Sequence, residues 1–490
     1  MAMRYVSKDK VELKDDQDKR VATLLWGDAV HEAGATSGGN VKVHARGRTG
    51  WVPAAALGDR SLLEIYVIDV GQGDGVLMKT PDGKWHLVDA GVANREQQTR
   101  KGAANFLVWK FKRDLRRNQV KLENVIVTHS DFDHYGGMVD VLSGKLYDGR
   151  IAAGSTFSIE VANLYHNGMA RFRAAPRLGA EESGEVDSFP FGFHGVARDG
   201  RFITELLSGK SSFKNPPREL ERTFAEFAGL VGKVPDHVSR ISNRDGYLPG
   251  YEAGGEVAIR VLGPMLEDLG GGQRGLRVLG GESITRNGHS VVLRVDYGRA
   301  RMLLTGDLNL KSQQLLMSYH PAAEFAVDVA KCCHHGSEDV HLDFVQAMQA
   351  RATVISSGDN EDYSHPRPLV IGASARYGRE ARAPGGKVLP PLVYSTELAR
   401  SVKLGFARSV RVDLDQQPGG PTQEISSGWT EIRPDLDNAG FRDLDQTPIS
   451  TDLVYGLVNV RTDGDRILCA TMEEKGGGFD VKVFEAGVAV

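Results

Sequence analysis

The feature that most constrains this chain is the crowding of His129, Asp131, Asp133 and His134 into six consecutive positions, within Thr128-His129-Ser130-Asp131-Phe132-Asp133-His134-Tyr135-Gly136-Gly137. The apolar run Asn124-Val125-Ile126-Val127 stands directly before it and reads as a buried strand. A strand interior cannot hold these four side chains, because burying unpaired charge costs several kcal/mol. At a strand's C-terminal end, a loop can turn all four toward cations. His129 and Asp131 then suit one ion and Asp133 and His134 its neighbour, with Gly136 and Gly137 forming a tight turn into the next helix.

With 41% hydrophobic and 25% charged residues in 490, the chain is globular, and its length allows about two or three domains. Sixty Lys+Arg against 64 Asp+Glu leave a formal charge of −4, so no global positive field coats nucleic acid and any polyanion is met locally. No apolar run approaches the roughly 18–20 residues of a membrane span, and the N-terminus is polar where a leader needs an apolar stretch. The expectation is a cytoplasmic protein with no membrane partner. Cys332, Cys333 and Cys469 cannot build a disulfide framework. Cys332 and Cys333 alternate along a strand, so at least one belongs to the core.

Residues 1–20 read as a frayed, charged lead-in. Residues 21–60 alternate short β runs and turns, as in a small barrel of about five strands. Through Trp26-Gly27-Asp28, Val41-Lys42-Val43 and Gly50-Trp51-Val52 this segment resembles a bacterial SH3-like domain, either a packing module or a site for a protein partner. From residue 61 onward, strands (Leu62–Val70, Gly75–Thr80, Trp85–Gly91) lead to a helix over about Ala103–Asn118. Its Lys110, Lys112, Arg113, Arg116 and Arg117 read as a solvated outer face rather than a nucleic-acid patch. An insertion occupies about 150–250, and its Arg171, Arg173, Arg177, Lys210, Lys214 and Arg218 are expected to line a groove for a polyanion. The Gly-rich stretch 269–283 reads as a mobile loop.

Further motifs follow in order: Asp69-Val70-Gly71-Gln72-Gly73-Asp74, Leu304-Thr305-Gly306-Asp307, His334-His335-Gly336-Ser337 and Ser364-His365-Pro366. Together with the His129–His134 run they resemble the metallo-β-lactamase fold superfamily, with Asp131 standing where a second histidine is usual. That form looks like the hydrolase domain of bacterial competence DNA-uptake proteins and their soluble relatives. The resemblance implies an α/β fold, an αββα sandwich over residues 61–490 behind the SH3-like barrel. It also implies that Asp307 bridges two metals, that His365 closes the ligand set, that His289 is a further ligand, and that Asp89 braces the metal loop with Asp69 and Asp74 nearby.

This carboxylate-rich set suits two divalent ions, Zn²⁺ or Mn²⁺. Two ions about 3.5–4 Å apart would acidify a bridging water and hold the electrophile, which is two-metal hydrolysis with Asp133 at the reacting centre. His334 and His335 follow a strand and point to opposite faces if it persists. His335 is the one expected to bind a phosphoryl oxygen or protonate the leaving group, with Gly336 and Ser337 donating to the anion. The expected function is a phosphodiesterase or nuclease with a phosphodiester substrate such as DNA. The alternatives are hydrolysis of a small phosphoester, nucleotide signal or other ester, and a metal-containing binding or sensing protein.

Overall fold

The computed structural model describes residues 3–97, 102–144, 157–358, 365–396, 409–413, 422–426, 456–472 and 478–487. Two sheets stack face to face. Along Leu63–Val67 the side chains of Leu63, Ile65 and Val67 enter the core between the sheets, while Tyr66 faces the other way, as the two-residue period of a strand requires. That core is closed from the second sheet by Ile259, Leu293, Val295, Met302 and Val354. On the outer face of the first sheet, Leu107, Phe111, Met138, Phe224 and Phe227 of three helical segments cover Leu77, Leu87 and Val125. Leu315, Phe344 and Met348 cover the outer face of the second. The result is the expected αββα sandwich.

Topology places the site. In the first sheet, of nine strands, Gln119–Val127 runs parallel to Trp85–Val88 and to Ser158–His166. In the second, of six, Ala300–Leu304, Val329–Lys331 and Ala352–Ile355 run parallel to one another. The C-terminal ends of these strands meet at one edge, where the Val291 N–H donates to the Thr128 carbonyl across the sandwich (2.9 Å). Residues 400–453 form a separate unit, of which the antiparallel pair Ser409–Asp413 and Thr422–Ser426 is described.

Three segments differ from expectation. The lead-in supplies two strands, Met3–Val6 and Lys10–Lys14, to a seven-stranded N-terminal sheet, because Val6, Val11 and Leu13 alternate into its core. The insertion is not wholly outside the sandwich, since Ser158–His166 and His237–Arg240 are strands of the first sheet. The Gly-rich stretch is no mobile loop. It forms a hairpin, Leu266–Gly270 with Gln273–Arg277, anchored by the buried Arg277–Glu267 pair (2.8 Å).

The basic helix end is a solvated face except at Lys110, since Arg113, Arg116 and Arg117 are exposed. Lys110 is buried against Asp114 (2.7 Å), whose other oxygen accepts the Arg46 N–H (2.7 Å) from the N-terminal sheet. Arg461, fully buried in the first sheet, reaches Asp28 of the N-terminal sheet (2.7 Å) and donates to the Trp26 carbonyl (2.7 Å), and Arg46 holds the other Asp28 oxygen (2.7 Å). Removing one partner of a buried ion pair leaves an uncompensated charge. Asp28→Ala should therefore lower the unfolding free energy in urea by about 3–5 kcal/mol, and a change under about 1 kcal/mol would show the network to be dispensable.

Candidate metal centre

Asp89 follows the strand Trp85–Val88 with a left-handed backbone (φ 53°), which swings its carboxylate to the neighbouring strand end. There it accepts the Thr128 N–H (2.8 Å) and hydroxyl (2.6 Å) and contacts His134 Nδ1 (2.7 Å). With Nδ1 so engaged, His134 presents Nε2 to the site. Asp131 stands just before the helix Phe132–Ser143, its side chain making no capping hydrogen bond, and Asp133 and His134 lie in the first turn. Gly136 and Gly137 sit inside this helix rather than in a turn before it. A Cβ at Gly137 would meet the Ala90 carbonyl oxygen at 2.1 Å, so glycine lets the helix lie on the Asp89 loop.

From the second sheet, Asp307 Oδ2 stands 3.1 Å from His134 Nε2 and 3.0 Å from His335 Nε2. The strand before the histidine pair stops at Lys331, and His334 and His335 adopt left-handed backbones (φ 46° and 54°). Both rings therefore face Asp307 instead of opposite sides, His334 Nε2 at 3.9 Å. His335 Nδ1 lies 3.1 Å from the Ser356 carbonyl and 3.3 Å from Asp74, while Nε2 lies 3.6 Å from Asp133.

One ligand atom each from Asp133, His134, Asp307 and His335 falls within 4.8 Å of the others. These residues fit a divalent ion. Nε2 of His134 and of His335 and Oδ1 of Asp307 are buried without an aligned hydrogen bond, a costly state that a shared cation relieves. Asp74, Asp89 and His134 also approach one another, but the Asp89 oxygens are taken by Thr128 and His134 Nδ1. His129 Nε2 is likewise orphaned and lies 3.7 Å from Asp131, with its ring 4.0 Å from that of His134.

The charges in this cluster are interlocked. Burial disfavours the cationic forms of His134 and His335, yet Asp307, with Asp89 for one and Asp74 for the other, raises both well above the ordinary histidine range. Burial also opposes ionisation of Asp307, and His134 and His335 overcome it, holding that carboxyl well below its usual range. Asp74, against the same burial, is lowered to about 2 by Lys331 and His335. A divalent ion held by these residues would take the place of the imidazole protons.

Three residues here escape sequence reading. Lys331 is buried, ion-paired with Asp74, and donates to the Gly306 carbonyl (2.9 Å) with Asp307 at 3.8 Å. Its one signal was a lysine inside the apolar run Val329-Ala330-Lys331-Cys332-Cys333. Ser290 Oγ accepts the Asp307 N–H (2.9 Å) and lies 3.2 Å from His129 Nδ1. Arg286 ion-pairs with Asp131, and Arg171 reaches the same carboxylate at 3.5 Å.

Other expected residues stand further out. The His365 ring lies 6.0 Å from that of His334 and outside the four-residue cluster. Asp69 accepts the Gly71 N–H (3.3 Å). Ser337 gives its N–H to the His334 carbonyl (2.8 Å), and Gly336, at φ 84°, lets Pro366 approach, where a Cβ would meet it at 2.7 Å. Cys332 and Cys333 are both buried, which pushes their thiols up to about 12 and about 11.

His289 is not brought into the cluster. Its Nε2 donates to the Arg277 carbonyl (2.7 Å), and burial lowers its pKa to about 4. Because the unfolded chain takes up a proton that folded His289 resists, this residue withdraws stability as pH falls from about 6.5 to about 4. His289→Gln should flatten that part of the acid stability curve and leave metal content unchanged. Loss of a metal ion by the variant, read by elemental analysis, would make His289 a ligand.

Residues 68–145 match the family described as the metallo-beta-lactamase superfamily. The chain is 35% identical over 88 residues to ComE operon protein 3 of Bacillus subtilis (strain 168), which is 18% of this chain and 11% of that protein. It is 32% identical over 128 residues to competence protein ComA of Neisseria gonorrhoeae, 26% of this chain and 17% of that protein. The chain thus matches less than a fifth of the length of either relative. Because the family match spans the strands and loops that present Asp69, Asp74, Asp89 and the His129–His134 run, this chain carries a metallo-beta-lactamase superfamily domain with the candidate ligands of a metal-dependent hydrolase.

Proposed function

We propose that the chain is a binuclear metal-dependent phosphodiesterase whose substrate is nucleic acid. The observation that carries this reading is the cluster of Asp133, His134, Asp307 and His335 with orphaned nitrogens and oxygens turned inward, beside His129 and Asp131. The four residues would hold one ion and His129 with Asp131 a second, with Asp307 serving both. Zn²⁺ and Mn²⁺ both suit this mixture of imidazoles and carboxylates. When bound, such ions supply Lewis acidity toward a phosphoryl oxygen and make water a competent nucleophile near neutral pH.

The chain's own groups supply orientation. Asp89 fixes the His134 ring through Nδ1, and the Ser356 carbonyl and Asp74 do the same for His335. His335 therefore acts as a ligand rather than as the substrate-facing histidine. We assign that role to His334, since 26% of its side chain is exposed against 9% for His335. The motif resemblance to competence DNA-uptake hydrolases and the two arginines at Asp131 support nucleic acid as the substrate.

Elemental analysis with bis-p-nitrophenyl phosphate turnover tests the proposal. Wild type should hold two ions per chain, as the two-metal mechanism requires, and Asp307→Ala should lose at least one. Asp133→Asn should abolish turnover with the circular dichroism spectrum unchanged. Asp89→Asn should weaken metal binding by about 10–100-fold through the misoriented His134 ring. A fully active protein with a single ion would overturn the binuclear mechanism.

A further inference from the structure

Next to Asp131 lies a cavity of about 970 Å³ between the loop at Arg171–Leu178, the segment Phe213–Gly229 and the helix Glu282–Gly288. It shares Arg171 and Arg286 with the candidate metal centre, where both approach the Asp131 carboxylate. Its lining carries Arg173, Arg177, Lys214 and Arg222 as well, against Glu219, Glu221 and Glu282. Glu219 is engaged by Arg173 (2.7 Å) and Glu221 by Arg171 (2.8 Å). Arg177, Lys214 and Arg222 make no ion pair among the described residues. A protein of net charge −4 thus concentrates uncompensated cations in one concavity beside its hydrolytic site.

The aromatic lining narrows what that concavity can read. Phe172 and Phe213 are buried, Phe172 is covered by the Arg218 guanidinium at 4.0 Å, and Phe213 packs edge-on against His166. Neither offers a free face on which a base could stack, so recognition falls to the cations and hence to phosphates. The volume stands at the upper end of the range for ligand pockets, about 300–1,000 Å³, which takes a length of one strand rather than a duplex. Two of the six basic residues expected in a groove, Lys210 and Arg218, do not line this one. Lys210 donates to the Pro235 carbonyl, and Arg218 pairs with Glu205 (2.9 Å).

We infer that this cavity seats the phosphate chain of a single nucleic-acid strand as it leaves the metal centre, and that it grips the strand by charge without reading its bases. The assignment of the strand as substrate rests on the phosphodiesterase reading, whereas the binding itself does not.

The test is fluorescence anisotropy on the full chain carrying Asp133→Asn, so that the probe stays uncut. The probes are fluorescein-labelled oligo-dT, an abasic deoxyribose-phosphate oligomer of equal length, and a duplex, each titrated across a range of salt. Adding Arg177→Gln, Lys214→Gln and Arg222→Gln together should weaken oligo-dT binding by about tenfold or more and reduce the slope of log K against log salt by about 2, near 0.7 for each lost phosphate contact. The abasic oligomer should bind like oligo-dT and the duplex more weakly. In the wild-type background the triple variant should hydrolyse bis-p-nitrophenyl phosphate normally.

Unchanged affinity and slope, a strong preference for oligo-dT over the abasic oligomer, or tighter binding of the duplex would each overturn the inference. Should circular dichroism show the triple variant unfolded, Lys214→Gln and Arg222→Gln taken singly decide it by the same loss of slope, near 0.7 apiece. Groove-dependent binding by a protein that cleaves no diester with Zn²⁺ or Mn²⁺ would sink the phosphodiesterase reading and leave the cavity's role intact. Diester cleavage without groove-dependent binding would do the reverse.

Discussion

Burying Asp307 as an anion is the constraint on which the rest of the structure depends. An ionised carboxylate out of water is tolerated only where cations and hydrogen bonds converge on it. Here His134 comes from the helix that follows a strand of the first sheet, Lys331 from the end of a strand of the second, and His334 and His335 from the turn after it. Such convergence needs strands of both sheets to end at one edge, which the parallel ladders provide. It also needs close backbone approach, which Gly137 and Gly73 permit, since a Cβ at Gly73 would stand 1.7 Å from the Asp133 carbonyl oxygen. The fold and the charge of the site are therefore one problem with one solution.

What the sequence made legible is what it states locally. Individual strands showed in runs such as Leu62–Val70, the sandwich came from the motif resemblance, and the run His129–His134 showed because its ligands are neighbours in the chain as well as in space. Asp307 was reached through the motif resemblance, at the end of a strand. Contacts made across the sandwich were not. Lys331, Ser290 and Arg286 matter through partners 17 to 257 positions away, and no local pattern announces them. The histidine pair misled because Cys332-Cys333-His334-His335 looks like a continuing strand, whereas two consecutive left-handed residues bend it toward Asp307. At Asn287-Gly288-His289-Ser290 the more ligand-like residue drew attention, but it is the serine that touches His129 and Asp307.

Charge composition was the weakest guide of all. The run Lys110–Arg117 looked like a solvated face, and the first 20 residues like a lead-in. In the structure the first 20 residues supply strands of the N-terminal sheet, and Lys110 belongs to the junction of that sheet with the sandwich, where Asp28, Arg46, Arg461, Lys110 and Asp114 compensate one another out of water. Arg461 pairs in register with Glu64, which itself holds Lys79 (2.7 Å), so the network runs on into the central sheet. Each ion there is acceptable only because of the others, and none of the pairings is close in sequence apart from Lys110 with Asp114.

Asp131 joins two such charge systems. A histidine at its position could take part in a ligand set but could not pair with cations, whereas an aspartate faces His129 on one side and accepts Arg286 and Arg171 on the other. Arg171 belongs to the insertion and Arg286 to the helix Glu282–Gly288, so the aspartate ties both segments to the ligand loop. On the proposed reading, a phosphate entering the cavity competes with Asp131 for the same two guanidiniums.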